Sequence, residues 1–200
     1  NDASRITGSA RHLLGLIDQI LNMSSMDAGQ DGLAPRDVDV RKLIEEAVNG
    51  VQDDARASGN RISMRVTADA ERAFTDGNKL AVCLGALVSN AVKFTSNGLI
   101  AVTASREDLD GRDVLAIAVS DTGVGIAAHD LPRVFMPFTQ IDGSATRAKG
   151  GMGLGLSIAQ RLAHALGGDV KVVSEVGSGS TFTLRVPMKL ETPLAARAAA

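Results

Sequence analysis

The sequence predicts an α+β protein: a two-layer sandwich in which helices cover one face of a mixed, mainly antiparallel sheet, preceded by a long N-terminal helix. Three observations carry that expectation. Helical stripes and strand-like runs are interspersed along the chain, and each kind of element must bury its apolar side against a layer of the other. The strand-like runs of the second half arrive in pairs joined by short polar turns, which makes them antiparallel neighbours. There is no internal repeat and no strict alternation of single strands with single helices, so a parallel, doubly wound sheet fits poorly.

Residues 3–28 place Ile6, Ala10, Leu13, Ile17, Leu21 and Met26 three to five apart, an amphipathic helical stripe. The break from Gly29 to Pro35 separates it from the rest of the chain, so a partner helix from another segment or a second chain is its natural cover. Leu43, Ala47, Val51 and Ala55 predict a single helix over 40–57, ended by Ser58, Gly59 and Asn60. From Arg61 to Thr67 polar and apolar residues alternate, with Ile62, Met64 and Val66 on one face of a strand expected to enter antiparallel pairing. Asp76 is the expected N-cap of a helix over 77–94 whose apolar face is Leu80, Leu84, Leu87, Val88 and Ala91. A hairpin of 100–105 with 114–119 turns at Asp108–Gly111. Gly150–Gly155 opens a helix that runs to Leu166 and closes at Gly167 and Gly168; strands over 170–174 and 181–186 come next, and the tail from Leu190 is Ala-rich and expected to fray.

Bulk properties exclude several classes of function. The net charge of −2, with both signs interspersed, gives no electrostatic footprint for nucleic acid or an anionic membrane. With no Trp, no Tyr and five Phe, base-stacking platforms are hard to build. Cys83 is alone, so neither a disulfide framework nor a cysteine zinc site forms within one chain, and a cytosolic setting is expected. No apolar run approaches the ~18 residues of a membrane span; any membrane attachment of the parent protein is expected elsewhere.

Three glycine-containing loops hold the candidate chemistry: Asp121–Gly125 (DTGVG), Gly150–Gly155 (GGMGLG) and Gly177–Thr181 (GSGST). Glycine lets backbone approach a ligand closely, and amides at a helix start suit phosphate. None of the three has the dinucleotide or P-loop spacing, and each alone reads equally well as a turn. At the end of the 77–94 helix, Asn90 offers a carboxamide oxygen suited to Mg²⁺, with Lys93 three residues on near the same face. In isolation these two only terminate a helix.

Taken in order, NAVKFT, DTGVGI, VFMPF and GGMGLGL resemble the N box, first glycine box, F box and second glycine box of histidine kinase catalytic domains, within the superfamily that includes DNA gyrase. The resemblance covers about residues 36–188. It implies a Bergerat-type sandwich that binds ATP between the N-box helix and a mobile lid, here 138–152. It further implies that Asn90 holds Mg²⁺, that Lys93 lies near the phosphates, and that Asp121 accepts from the adenine amine. Phe94 would pack on the base, with Gly123, Gly125, Ile126 and Thr181 lining that end. Phe138, Arg147, Gly151, Gly153, Leu154 and Gly155 would belong to the lid and the phosphate end, while Phe135 is expected to plug the core. Ser9–Gly29 resembles the second helix of a dimerisation and phosphotransfer region, giving domains at 1–29 (partial) and 36–188, with a tail over 189–200.

The sequence departs from that pattern in three places. None of the three histidines opens the His–Glu/Asp–basic–Thr/Ser–Pro run of a phosphoacceptor, since His12 precedes Leu–Leu, His129 precedes Asp–Leu–Pro and His164 lies mid-helix, so the acceptor is expected on a preceding helix outside this stretch. Ala86 stands four residues before Asn90, where relatives carry Asn or a water-orienting Glu; independent ATP hydrolysis is therefore not expected, whereas transfer to imidazole needs no protein base. Met152 stands where Thr or Ser is usual. The resemblance thus implies a two-component sensor kinase that uses ATP and Mg²⁺, yields ADP, dimerises through its N-terminal helical region and passes phosphate to a response-regulator receiver domain. A nucleotide-sensing pseudokinase and a free-standing ATPase remain alternatives.

Overall fold

The structure, a computed structural model, describes residues 32–139 and 153–191. The chain divides after Gly32 into two units, the second beginning at Leu33. The helix expected over 3–28, most of the expected lid and the end of the tail lie outside the described residues.

Strand β1 (Arg36–Asp39) leads into helix α1 (Val40–Asn49) and the short α2 (Gln52–Ala57), followed by β2 (Arg61–Val66) and β3 (Arg72–Thr75). Helix α3 (Gly77–Phe94) precedes the hairpin β4 (Leu99–Leu109) and β5 (Arg112–Asp121); α4 (Gly155–Ala165) precedes β6 (Asp169–Glu175) and β7 (Gly179–Pro187). The main sheet has five strands in the order β2-β4-β5-β7-β6, and β1 with β3 forms a separate two-stranded ribbon. Every pair in the main sheet is antiparallel except β2 with β4. The mixed, mainly antiparallel sheet expected from the sequence is thus present.

The core lies between the sheet and its helices. Val102 of β4, Val119 of β5 and Phe182 of β7 stand in register and are all at most 2% exposed. Leu80, Leu84, Leu87 and Val88 of α3 are fully buried, as are Ile44 of α1 and Ala159 and Ala163 of α4. Each leucine so buried contributes about 1.5–3 kcal/mol. The β4–β5 turn is the two residues Asp110 and Gly111, both at positive φ (54° and 77°), the geometry that matches strand twist in a tight hairpin. The Asp108 carboxylate accepts from the Gly111 amide at 2.9 Å.

Three expectations need correction, and one ribbon was not foreseen. The helix over 40–57 breaks in two at Gly50 and Val51, where Val51 sits at φ −118°, ψ 6°; glycine weakens the helix there, and the break redirects the chain after buried Val48. β2 pairs in parallel with β4, from Arg61↔Leu99 to Val66↔Ala104, because α3 intervenes as a crossover. β1 and β3 were not expected; at four residues each they carry too little periodicity to signal a strand. Finally, Phe74 and Lys189 form a parallel bridge, the Leu190 amide donates to the Phe74 carbonyl at 2.7 Å, and Leu190 is 7% exposed, so pairing continues beyond residue 188.

Candidate functional site

Helix α3 is the main support of the site. Its N-cap is Asp76, whose carboxylate accepts the Asn78 and Lys79 amides, each at 3.1 Å, and also the Ala34 amide at 3.1 Å. Burial opposes the charge on Asp76, but these amides and the Lys79 ammonium at 3.8 Å hold its pKa below the ordinary value. The opposite end of α3 carries Asn90, Lys93 and Phe94, all half-buried, with Ala86 and Asn90 one turn apart. The Lys93 ammonium sits 4.9 Å from the Phe94 ring centroid, within cation–π range, and burial lowers its pKa.

Asp121 ends β5 beside that helix end. Its carboxylate accepts the Gly123 amide at 2.8 Å, and Ser180 stands opposite Asp121 in the β5–β7 ladder, where its amide favours the carboxylate charge. Desolvation by burial raises its pKa, with the Gly123 and Ser180 amides and the Thr95 hydroxyl pulling the other way. Thr95 is itself 0% exposed, and its Oγ1 completes no full hydrogen bond, although it lies near enough to favour the Asp121 charge. A buried hydroxyl without a partner beside a half-buried carboxylate fits a polar ligand completing the set.

The loop after Asp121 is held against α3 by backbone contact: the Val124 amide donates to the Phe94 carbonyl at 3.3 Å. A Cβ at Gly123 would lie 2.4 Å from that carbonyl and 2.7 Å from Asp121 Oδ1, so any side chain there would push the loop from the helix. Gly125 has φ +69°, and a Cβ on it would lie 2.0 Å from the Glu175 carbonyl. The Ile126 amide donates to Ser174 Oγ at 2.8 Å, and Ser174 Oγ in turn donates to the Gly179 carbonyl at 2.8 Å. Thr181 pairs its hydroxyl with Ser120 at 2.9 Å. Phe94, Asp121, Gly123, Gly125, Ile126 and Thr181 therefore form one connected arrangement.

A second group lies where α4 begins. A Cβ at Gly153 would lie 2.5 Å from the Thr139 carbonyl, which brings residues 139 and 153 together at the two ends of the expected lid. Phe138 is 64% exposed, with φ +60°, a region that costs a bulky residue energy. Gly155 approaches α3 at Ala86, where a Cβ at Gly155 would lie 3.8 Å from that of Ala86. Leu154 is 1% exposed, so its side chain serves the core and only its backbone is open to a ligand role. Phe135, half-buried, meets the core residue Phe182 edge to face at 6.3 Å and 87°. Arg147, Gly151 and Met152 lie outside the described residues, as does His12. His129 and His164 are exposed and pair with Asp130 and Asp169.

Sequence reasoning did not single out Thr95, Ser174 or Ser180. Ser and Thr at strand and helix ends are ubiquitous, and only the ladder register places them beside Asp121. Among the described residues there is no group of three His, Cys, Asp or Glu side chains able to hold a metal. A lone carboxamide such as Asn90 suits a hard cation held mainly by phosphate and water, and no all-protein cage is available there. No helix among the described residues is long and apolar enough to cross a membrane.

The family model described as "Histidine kinase-, DNA gyrase B-, and HSP90-like ATPase" matches residues 75–190, from the strand before α3 to the residue that bonds Phe74. The chain is 34% identical over 192 residues to the autoinducer 2 sensor kinase/phosphatase LuxQ of Vibrio parahaemolyticus, covering 94% of this chain and 22% of that protein. It is 33% identical over 187 residues to the signal transduction histidine-protein kinase BarA of Escherichia coli, covering 92% of this chain and 20% of that one. In three dimensions it is similar to full-length ShkA, solved in complex with AMPPNP, with a TM-score of 0.77 and 33% identity over 88% of this chain and 36% of that chain. The chain thus spans about a fifth of the length of these curated relatives.

Proposed function

Since the chain belongs to the histidine kinase-, DNA gyrase B- and HSP90-like ATPase family, we propose that it is the ATP-binding catalytic domain of a two-component sensor histidine kinase, with residues 1–29 the second helix of its dimerisation region. The observation that carries this reading is the half-buried Asp121 carboxylate. It is bracketed by the Gly123 and Ser180 amides and set against the helix end that bears Asn90, Lys93 and Phe94. A half-buried carboxyl acceptor reads the exocyclic amine of adenine, and Phe94 supplies an apolar face beside it. Lys93, whose charge burial disfavours, gains from an incoming polyphosphate.

Asn90 would hold Mg²⁺, which supplies charge neutralisation on the phosphates. Gly153, Gly155 and, by the resemblance, Arg147 and Gly151 would give the phosphates room and donors. The chain's own contribution is then positioning and electrostatic stabilisation. The γ-phosphoryl group would pass to a histidine nitrogen on another helix of the parent protein, with ADP leaving, and from there to an aspartate of a receiver domain. Ala86, half-buried against Gly155, offers no side chain to activate water, so transfer to a nucleophile brought by the parent protein is favoured over hydrolysis.

The test is to incubate a longer form of the parent protein that includes its phosphoacceptor histidine with labelled ATP and Mg²⁺. Acid-labile, base-stable label on that form, absent from its Asn90→Ala variant, is expected. Tight ATP binding with no label would instead support a nucleotide-sensing module.

A further inference from the structure

Asn60 is the first residue after the α2 turn and is 7% exposed, an unusual place for a carboxamide. Its side chain is fully engaged with the far end of α3. The Nδ2 amide donates to the Thr95 carbonyl at 3.0 Å and, more weakly, to the Val92 carbonyl at 3.4 Å. Its Oδ1 accepts the Gly98 amide at 3.1 Å. Carbonyls at a helix C-terminus have no intrahelical donor, and here one buried side chain supplies it. Backbone bonds on either side reinforce the grip: the Arg61 amide donates to the Gly98 carbonyl and the Asn97 amide to the Ser58 carbonyl, each at 2.9 Å.

The segment held in this way is the one that meets the nucleotide. Thr95, gripped through its carbonyl, presents its buried hydroxyl beside Asp121, and its neighbour Phe94 accepts the Val124 amide from the Asp121 loop. Lys93 and Phe94 form the last turn of α3, between Val92 and Thr95. We infer that Asn60, though outside the nucleotide site, is a positioning residue for it: its carboxamide fixes the last turn of α3 so that Lys93, Phe94 and Thr95 meet Asp121 in the binding geometry. The inference deepens the ATP-binding reading and rests on it. Loosening that turn lowers the fraction of molecules with the site assembled, and affinity falls in proportion.

The experiment compares the unaltered chain with Asn60→Leu, which keeps bulk and loses all three bonds, with Asn60→Asp, which keeps an acceptor for Gly98 and loses the donor, and with Leu43→Ala, a core variant in α1. Affinity for AMPPNP with Mg²⁺ is measured by calorimetry at a temperature where melting curves show each variant folded. Amide exchange is followed at 95–99 and at Val124. A loss of about tenfold in affinity for Asn60→Leu is expected, as when the assembled fraction drops to about one tenth, with faster exchange at those amides. Leu43→Ala should melt at lower temperature yet bind within about twofold of the unaltered chain. Unchanged affinity in Asn60→Leu, or an equal loss in Leu43→Ala, would overturn the inference; if Asn60→Leu does not fold, Asn60→Asp decides by the same comparison. Failure of the unaltered chain to bind AMPPNP would refute the ATP reading instead, and exchange at 95–99 would still decide whether Asn60 fixes the helix end.

Discussion

At the scale of single residues, the burial of Asp121, the residue proposed to read adenine, costs the fold stability. Burial raises its pKa, so its contribution to folding is fully present below the unfolded value and is lost as pH rises through the folded one. Asp121→Asn keeps an acceptor for the Gly123 amide and removes the desolvated charge. That variant is expected to melt at a higher temperature than the unaltered chain at neutral pH, with the gap closing in acid, and to bind ATP more weakly; thermal melts across pH check the first part. Cys83 behaves differently. It is 0% exposed, its thiol donates to the Ala159 carbonyl at 3.3 Å, and burial pushes its pKa up to about 12. Because only the thiolate reacts, iodoacetamide is expected to label the chain in denaturant and not in the native state, as mass spectrometry would register. The motifs singled out Asp121 and Lys93, and the structure places them on neighbouring elements, the end of β5 and the last turn of α3. Asn60 was not singled out, because a Ser–Gly–Asn run reads as a turn and only folding brings it to Thr95, 35 residues away.

At the scale of elements, α3 was the most legible part of the chain, since a long apolar face and an acidic cap are local signals. Its cap does more than a local signal implies. Asp76 also accepts the Ala34 amide, tying the segment that enters the domain to the helix that carries Asn90 and Lys93. Asp76→Ala is expected to cost about 1–2 kcal/mol, read as a lower denaturant midpoint with an unchanged slope. The pKa of Asp76 is lowered on folding, so this stability is present above its ordinary value of 3.8 and is lost as pH falls through the folded value. The difference between variant and unaltered chain should therefore vanish in acid. The hairpins were legible because their turns sit between alternating runs. The ribbon of β1 and β3 was not, because Arg36–Asp39 and Arg72–Thr75 become strands by pairing with each other across 36 to 75, a tertiary decision. The parallel pairing of β2 was hidden for the same reason, since register with β4 depends on how α3 crosses between them.

For the whole molecule, the sheet and its helices bring three chain segments to one place: the end of α3, the Asp121 loop and the β6–β7 turn region. Glycine spacing announced the loops, but not that Gly125 rests on Glu175 or that Thr181 meets Ser120; those contacts depend on sheet order. The same architecture leaves Ala86 opposite Gly155, so steady release of inorganic phosphate from ATP by this chain alone is expected to be negligible, as a coupled phosphate assay would show. Ala86→Glu tests whether a base is all that hydrolysis lacks, and a measurable turnover in that variant alone is the expected outcome. The measurement that bears most directly on the nucleotide site is calorimetric titration of this chain with AMPPNP and Mg²⁺, beside Asp121→Ala. Saturable binding by the unaltered chain, lost in Asp121→Ala and weakened on chelating Mg²⁺, is the expected result. Equal binding by both proteins would remove Asp121 from the site, and no binding by the unaltered chain would contradict the assignment of ATP to it.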